Sequence, residues 1–136
     1  DSYQINAKGN GRNWGVKSGG KALDIPMVVL VNEFSASASE VFTGAIIDND
    51  RATVIGTTTF GKGSVTNLWP LRDGSGVNFT TARWFTPNGS LIEGQGLTPD
   101  IVLEPLAEDE DEDLYLDRAI EILKEELNAN SQAKNR

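Results

Sequence analysis

A serine and a lysine of this chain have the residue types and surroundings for nucleophilic chemistry. Ser37 lies in the run Ser35-Ala36-Ser37-Ala38-Ser39-Glu40, and Lys62 follows 25 positions later in Phe60-Gly61-Lys62-Gly63. The 136 residues include no histidine and no cysteine, which excludes an imidazole base, a thiolate nucleophile and a disulfide framework. A neutral lysine beside the serine is the usual substitute for a histidine base. Ser37 and Lys62 are therefore a candidate dyad for acyl transfer.

Each partner also has a purely structural interpretation. Ser37 and Glu40 have the spacing of a capping box at the start of a helix, and Lys62 fits a surface turn between two glycines. The catalytic interpretation requires a buried Lys62 away from carboxylates, and the range 57–64 contains no acid. If Ser37 begins a helix, free amides starting with that of Ala38 are placed to stabilise an oxyanion.

Three other patterns do not indicate a ligand site. Gly56-x-x-x-x-Gly61-Lys62 resembles a phosphate-binding loop, but Gly63 stands where the magnesium-binding Ser or Thr belongs, and a strand pattern follows. Asp48 and Asp50 come at the end of a predicted helix, where we expect them to face solvent. The acidic run 109–113 lacks the spacing of a calcium loop and is typical of a solvated helix N-terminus. We expect no cofactor and no metal ion.

The net charge of −8 is concentrated in the tail. Residues 1–106 carry eight basic and ten acidic side chains, and residues 107–136 carry four and ten. Without a basic stripe interleaved with aromatic residues, we expect no nucleic-acid partner. The composition is typical of a globular domain, and the apolar runs are far shorter than a membrane span. The chain begins without methionine or a leader, so we expect a processed product or a piece of a longer protein.

The hydrophobic pattern predicts an α/β fold with a parallel sheet core, a β-hairpin and a C-terminal helix. The predicted elements are a ragged hairpin or loop (1–24), a central buried strand (27–31), a helix (35–49), a strand (52–56), a hairpin (64–69 with 76–85), a strand (100–103) and a last helix (about 111–127). We expect the first helix to bury Val41, Phe42, Ala45 and Ile46. We expect the last helix to bury Leu114, Ile120, Leu123 and Leu127.

Several segments together resemble the carboxyl-terminal processing, or tail-specific, serine proteases. They are Val29-Leu30-Val31-Asn32, Ser35-Ala36-Ser37-Ala38-Ser39-Glu40, Gly56, Phe60-Gly61-Lys62-Gly63, Thr80-Thr81-Ala82-Arg83, Thr86-Pro87-Asn88-Gly89 and Gly96-Leu97-Thr98-Pro99-Asp100. The resemblance implies that Ser37 is the nucleophile and Lys62 the general base. It implies supporting roles near Glu40, Asp48 and Thr59. Thr66 stands where other members have the glutamine that orients the lysine.

The same resemblance implies a crotonase-like (ClpP-like) ββα fold, of which this chain is a partial domain. Residues 1–106 are then the C-terminal half of the catalytic domain, truncated upstream, and residues 107–136 are its acidic segment and last helix. An upstream PDZ domain, an upstream Gly-rich oxyanion segment, a possible oligomer and a location outside the cytoplasm (periplasm, cell envelope or organelle lumen) are also implied.

The leading expectation is a serine endopeptidase that cleaves protein or peptide substrates near their C-termini. The fragment by itself is not required to be active. One alternative is a non-catalytic ligand-binding module on the same fold, as in the interphotoreceptor retinoid-binding proteins. A second is a structural or oligomerising piece whose final helix docks on a partner.

Overall fold

The computed structural model describes residues 2–20, 22–103 and 114–134. In these ranges the chain is a mixed α/β structure. Its strands are β1 (Ser2–Asn6), β2 (Gly11–Trp14), β3 (Val28–Val31), β4 (Thr53–Gly56), β5 (Ser64–Pro70), β6 (Gly76–Phe85) and β7 (Ile101–Val102). Its helices are α1 (Ala38–Asp48) and α2 (Leu114–Lys134). The predicted α/β fold with a parallel sheet, a hairpin and a final helix is confirmed.

A three-stranded parallel sheet in the order β3-β4-β7 forms the core. β3 and β4 run parallel and α1 connects them, as the predicted βαβ unit requires. β4 is the central strand. The prediction that 27–31 is central was wrong for the described residues, because β3 is an edge strand there and Leu30 is 40% exposed. An apolar run indicates an extended segment, but strand order depends on which segments pair with it.

The two helices pack against this sheet through separate apolar clusters. Val54 packs with Val31 and Ile46 of α1, whereas its neighbour Ile55 packs with Ala119 and Ile122 of α2. Successive residues of a strand point to opposite faces, so Val54 and Ile55 lie in different layers. Both are fully buried. Burial of each such side chain contributes about 1.5–3 kcal/mol of transfer free energy. The parallel sheet therefore lies between two helical layers that are both held by apolar packing.

A second, antiparallel sheet has the order β2-β1-β6-β5. The predicted hairpin of β5 with β6 is present. Of the two alternatives for residues 1–24, a hairpin or a loop, the structure has a hairpin of β1 with β2. The register between β5 and β6 shifts between Val65 and Thr66, so Thr81 of β6 is an extra residue. The Thr81 hydroxyl donates to the Val65 carbonyl (3.2 Å) and accepts from Nδ2 of the Asn67 side chain (2.9 Å). These two bonds replace regular ladder bonds at the bulge.

The inward face of α1 differs from the prediction. Phe42 is 52% exposed, and the buried positions are Glu40, Thr43, Gly44 and Ile46. A Cβ on Gly44 would lie 2.6 Å from the Thr86 methyl carbon, so this side of the helix lies close against the segment after β6. The buried face of α1 is therefore rotated away from the face that its apolar residues predict, because the buried face includes the Glu40 carboxylate.

The last helix is longer than predicted and buries a different stripe. Tyr115, Ala119 and Ile122 are buried, whereas the predicted Leu114, Ile120 and Leu127 are at least 38% exposed. Apolar residues occupy two neighbouring stripes of α2, and the stripe that contains Ala119 and Ile122 packs on the sheet residue Ile55. The acidic run 109–113 lies outside the described residues. Across the ranges that the structure describes, no helix combines the length and apolarity needed to cross a membrane.

Candidate active site

Ser37 occupies a strained turn between β3 and α1. Its backbone has φ 60° and ψ −115°, whereas a helix-capping residue normally has extended backbone. A non-glycine residue in such a conformation costs about 1–3 kcal/mol and persists only where the surroundings impose it. A sharp, strained turn from a strand into a helix is also how hydrolases expose a nucleophilic serine. The predicted capping box of Ser37 with Glu40 is present, since the Glu40 carboxylate accepts from the Ser37 amide at 2.9 Å. The strained backbone is a separate feature of Ser37, and it is compatible with an exposed nucleophile.

The first turn of α1 leaves one amide available. The amides of Ser39, Glu40 and Val41 donate to the carbonyls of Ala36 and Ser37, at 3.0–3.2 Å. Within the described part of the chain, the Ala38 amide donates to no acceptor. It directly follows Ser37 at the positive end of the helix dipole. This position suits an oxyanion that forms on a carbonyl attacked by Ser37.

The Glu40 carboxylate joins the Ser37 turn to the Lys62 loop. It is fully buried. Oε1 accepts hydrogen bonds from the Thr59 hydroxyl and the Gly61 amide, both at 2.6 Å. Oε2 accepts from the amides of Lys62 (2.8 Å) and Ser37 (2.9 Å). Because those two amide nitrogens bind one atom, they lie within 5.7 Å of each other.

Thr59 extends this network to a third segment. Its hydroxyl accepts from the Leu97 amide at 2.8 Å while donating to Glu40, and its amide donates to the Leu97 carbonyl at 3.0 Å. Thr59 is 5% exposed, so water does not compete for these bonds. The Phe60 amide also donates to the Ser35 carbonyl at 3.0 Å. The loop that carries Lys62 is therefore fixed on both sides.

The glycines on either side of Lys62 permit this close approach. Gly61 has φ 87°, and a Cβ there would lie 2.9 Å from the Gly96 amide nitrogen. A Cβ on Gly63 would lie 2.5 Å from the Glu93 amide nitrogen. Any larger residue at these positions would displace the loop from the 93–96 segment. The motif around Lys62 therefore has a packing reason as well as a chemical one.

The surroundings of Lys62 differ from the prediction. Its side chain is exposed, whereas the catalytic interpretation required burial, and a carboxylate binds its backbone amide. The acid comes from Glu40, which is 22 positions earlier in the chain and therefore outside the range 57–64. A short stretch of sequence such as 57–64 shows only which residues are neighbours along the chain. The fold brings a distant acid to a segment that contains none.

The remaining predicted residues lie in two other places. Asp48 is at the opposite end of α1 from Ser37, roughly 15 Å away at 1.5 Å per residue. It is half-buried instead of facing solvent, and Oδ2 accepts from the Asn88 amide at 2.7 Å. Asp50 is exposed. Thr66 is exposed on β5 beside the bulge, so its role in orienting Lys62 stays a prediction.

Sequence reasoning missed the segment 94–97 as part of the site. The sequence analysis assigns no role at the site to this segment, although Gly96 and Leu97 belong to one of the family motifs. In the structure the Leu97 amide donates to the Thr59 hydroxyl, and the Gly94 amide donates to the Gly61 carbonyl at 2.9 Å. Gly96 has φ 67°, and its Cβ position would lie 2.2 Å from the Thr59 carbonyl oxygen. The two glycines of Gly94-Gln95-Gly96 were the available signal, since paired glycines often mark close backbone approach.

Comparison with known proteins identifies the family. The model of peptidase family S41 matches residues 2–103. The chain belongs to this family. Among curated relatives, a carboxy-terminal-processing protease of Bartonella bacilliformis is 54% identical over 84 residues, which are 61% of this chain and 19% of the relative. A carboxyl-terminal-processing protease of Synechocystis is 44% identical over 102 residues, 75% of this chain and 24% of the relative. The chain thus spans about a quarter or less of these relatives.

Solved structures of S41 peptidases are similar to the same region. The photosystem II D1 C-terminal processing protease is 50% identical with a TM-score of 0.56, over 59% of this chain and 21% of that chain. Mature CPAF in complex with lactacystin is 30% identical with a TM-score of 0.57, over 73% and 20%. A lipoprotein from Streptococcus agalactiae is 19% identical with a TM-score of 0.72, over 91% and 44%, which shows a shared fold.

Proposed function

We propose that this chain is the part of a carboxyl-terminal-processing serine endopeptidase that contains its Ser37/Lys62 dyad. The observation that carries the proposal is the Glu40 carboxylate, which binds the amides of both residues. This buried group holds the Ser37 turn and the Lys62 loop at a fixed separation. The names of the relatives support the reaction class.

The proposed reaction uses side-chain and backbone groups of this chain. Lys62 Nζ takes the proton from Ser37 Oγ, which attacks a peptide carbonyl of the substrate. The Ala38 amide stabilises the oxyanion. The proton then passes from Lys62 to the leaving amine, and an acyl-enzyme remains on Ser37. Water, deprotonated by Lys62, cleaves the ester and regenerates the serine.

The exposure of Lys62 gives the substrate a second role. An ammonium group in water holds its proton, and removing water favours the neutral amine. A peptide bound across Ser37 would cover Lys62 and desolvate it. We therefore propose that the base becomes competent when substrate binds.

The wider assignments are also proposals. We assign residues 1–106 and 107–136 to one crotonase-like domain, and the two helical layers around the parallel sheet support this arrangement. Following the family resemblance, we propose protein substrates, an upstream PDZ domain and a location outside the cytoplasm. Thr59 and Glu40 serve as positioning residues in this scheme.

Labelling with a serine-directed fluorophosphonate, followed by intact and peptide mass spectrometry, tests the nucleophile in the full parent protein. We expect one adduct on Ser37, absent in Ser37→Ala. Ser39→Ala is the matched control, since Ser39 is also exposed in the same motif, and it should label normally. Lys62→Met should slow labelling at least about a hundredfold, within the usual contribution of a general base. Normal labelling and proteolysis by Ser37→Ala would overturn the proposal.

A non-catalytic binding module is the second candidate, and the exposed Lys62 is the observation that favours it. Such a module would show no adduct on Ser37 under conditions that label a known serine protease. It would also bind its ligand equally well after Lys62→Met. The labelling experiment therefore separates the two candidates directly.

A further inference from the structure

Two exposed phenylalanines flank the candidate dyad. Phe34 comes three positions before Ser37, and Phe60 comes two positions before Lys62. Their side chains are 78% and 64% exposed, which is more than any other aromatic side chain in the described residues. Each ring gives up about 1.5–3 kcal/mol of transfer free energy by staying in water. Large apolar side chains that are exposed together beside reactive groups are typical of a ligand-binding surface.

The backbone that carries the two rings is fixed. The Phe60 amide donates to the Ser35 carbonyl at 3.0 Å, so the two segments are joined directly. The Phe34 amide donates to Oδ1 of Asn32 at 3.1 Å, and the Ser35 amide donates to the Asn32 carbonyl at 3.0 Å. The Asn32 amide in turn donates to Ser35 Oγ at 3.1 Å. These bonds close the turn before Ser37 on itself and hold the backbone of Phe34 in place.

The two rings are close in the fold but do not pack on each other. The Cα atoms of Phe34 and Phe60 are at most about 11 Å apart, because Ser35 follows one residue and its carbonyl binds the amide of the other. Within the described part of the chain, neither ring stacks on the other or on a third aromatic ring. Apolar groups in contact lie about 4 Å apart. Two rings at this separation can therefore contact one side chain of a bound peptide from both sides.

The rings lie where the side chain next to an attacked carbonyl would be. Phe34 Cα is at most about 11 Å from Ser37 Cα, and Phe60 Cα is at most about 7 Å from Lys62 Cα. In the proposed reaction the carbonyl attacked by Ser37 directs its oxygen to the Ala38 amide. The side chain of that substrate residue begins one carbon away from the carbonyl, so it is the substrate side chain held closest to Ser37.

The acidic groups near the rings already accept hydrogen bonds. The Glu33 carboxylate precedes Phe34 and accepts from the Thr57 hydroxyl at 3.1 Å. Glu40 is fully buried and accepts four hydrogen bonds. The two rings therefore favour an apolar substrate side chain over a basic one.

We propose that Phe34 and Phe60 form the subsite for the substrate residue whose carbonyl Ser37 attacks, and that they select an apolar side chain of about the size of leucine. This inference rests on the proposed endopeptidase function, which supplies the attacked carbonyl. It adds to that function the kind of residue preferred on the acyl side of the cleaved bond. One methylene in an apolar pocket changes specificity about 10–200-fold, so a whole side chain should give a preference of at least about tenfold.

Covalent probes that carry one defined side chain test the subsite in the full parent protein. In the diphenyl ester of an N-acetylated α-aminoalkylphosphonate, Ser37 Oγ attacks phosphorus and phenoxide leaves, while the amino-acid side chain occupies the acyl-side subsite. Probes with the side chains of leucine, asparagine and lysine are compared, because leucine and asparagine have similar shapes. We expect the leucine probe to label Ser37 at least about tenfold faster than either polar probe. A fluorophosphonate without an amino-acid side chain reports on the dyad alone.

Substitutions of the two rings identify the cause. Phe34→Ser and Phe60→Ser should each reduce the ratio of leucine to asparagine labelling rates at least about threefold. Phe34→Leu should keep most of the ratio because the surface stays apolar. Phe79→Ser is the matched control, since Phe79 is also exposed but pairs with Asn67 in the hairpin of β5 and β6, and it should leave the ratio intact. The ratio compares two probes on the same variant, so a partial loss of folded protein does not change it.

Three results would overturn the inference: equal labelling by the leucine and asparagine probes, faster labelling by the lysine probe, or a leucine preference that survives both serine substitutions. Serine variants that slow every probe by the same factor would also overturn it, since the rings would then only support the structure. Failure of the proposed function appears differently, as no labelling of Ser37 by the plain fluorophosphonate. Labelling by that reagent without a leucine preference is failure of the subsite alone, so the two failures are distinguishable.

Discussion

Ser37 and Lys62 donate their backbone amides to the same oxygen atom, Oε2 of Glu40. The contact joins the start of α1 to a loop that follows β4. It does so through main-chain groups, so both side chains remain available for chemistry. The position of one buried carboxylate therefore determines the separation of the two candidate catalytic residues.

Glu40→Gln should disrupt the site more than its size change suggests. The carboxylate accepts four hydrogen bonds. In glutamine an NH2 group replaces one of the two oxygens, and this group would face hydrogen-bond donors from which it cannot accept. We expect a loss of about 2–4 kcal/mol in the free energy of unfolding and at least about tenfold slower labelling of Ser37. Urea unfolding and labelling kinetics measure both. Glu33→Gln is the control, because exposed Glu33 accepts, among the described residues, only from the Thr57 hydroxyl, and it should change neither quantity appreciably.

Thr59→Val should separate hydrogen bonding from packing in the same network. Valine keeps the shape but removes the hydroxyl that donates to Glu40 and accepts from the Leu97 amide. We expect a loss of about 1–3 kcal/mol of stability, since two buried partners are left unsatisfied. Thr59→Ser retains the hydroxyl and should recover most of the labelling rate. Equal labelling by the valine and serine variants would contradict this role.

Substitutions of Gly61 and Gly94 should differ although both have positive φ, 87° and 74°. A Cβ on Gly61 would lie 2.9 Å from the Gly96 amide nitrogen, whereas no described atom beyond the adjacent residues lies within 4 Å of a Cβ on Gly94. Gly94→Ala should therefore cost about 1–2 kcal/mol for its backbone conformation alone. Gly61→Ala should cost clearly more and slow the labelling of Ser37. Thermal unfolding of the two variants measures the difference, and equal costs would show that contact with the 94–96 segment is unimportant.

Ser37→Gly should stabilise the chain while removing its nucleophile. Glycine adopts φ 60° without the penalty that serine has, so we expect a gain of about 1–2 kcal/mol. Ser39→Gly lies in the first turn of α1 and should instead cost about 0.5–1 kcal/mol. Changes of opposite sign in the free energy of unfolding of the two variants, measured by chemical denaturation, would identify Ser37 as a strained position. A destabilised Ser37→Gly would indicate an ordinary cap.

The turn between β5 and β6 should respond to acid through Asp73. Hydrogen bonds from the Ser75 hydroxyl (2.6 Å) and the Ser75 amide (3.1 Å) hold the pKa of Asp73 below its usual range. A lowered folded pKa means that the turn's stabilisation is present above the ordinary aspartate value of ~3.9. It is lost as pH falls through the lower folded value. An NMR titration of the Asp73 carboxyl chemical shift should give a lower pKa in the unchanged chain than in Ser75→Ala. Identical titration curves would contradict this.

Much of the fold was predictable because its signals are local. Apolar runs indicate the strand β4, helical periodicity indicates α1, and turn residues indicate the two hairpins. The helix faces were less predictable. Phe42 and Ile120 fit apolar stripes but are exposed, because the stripe that packs depends on what lies opposite it.

The sequence by itself determined the family motifs, the absence of histidine and cysteine, and therefore a serine with a lysine as the available chemistry. These depend only on residue identity and order. The tertiary structure decided that Glu40 links Ser37 to Lys62, that Lys62 is exposed, and that the segment 94–97 binds Thr59 and Gly61. Burial, hydrogen-bond partners and strand edges arise between segments far apart in the chain, so no local pattern encodes them.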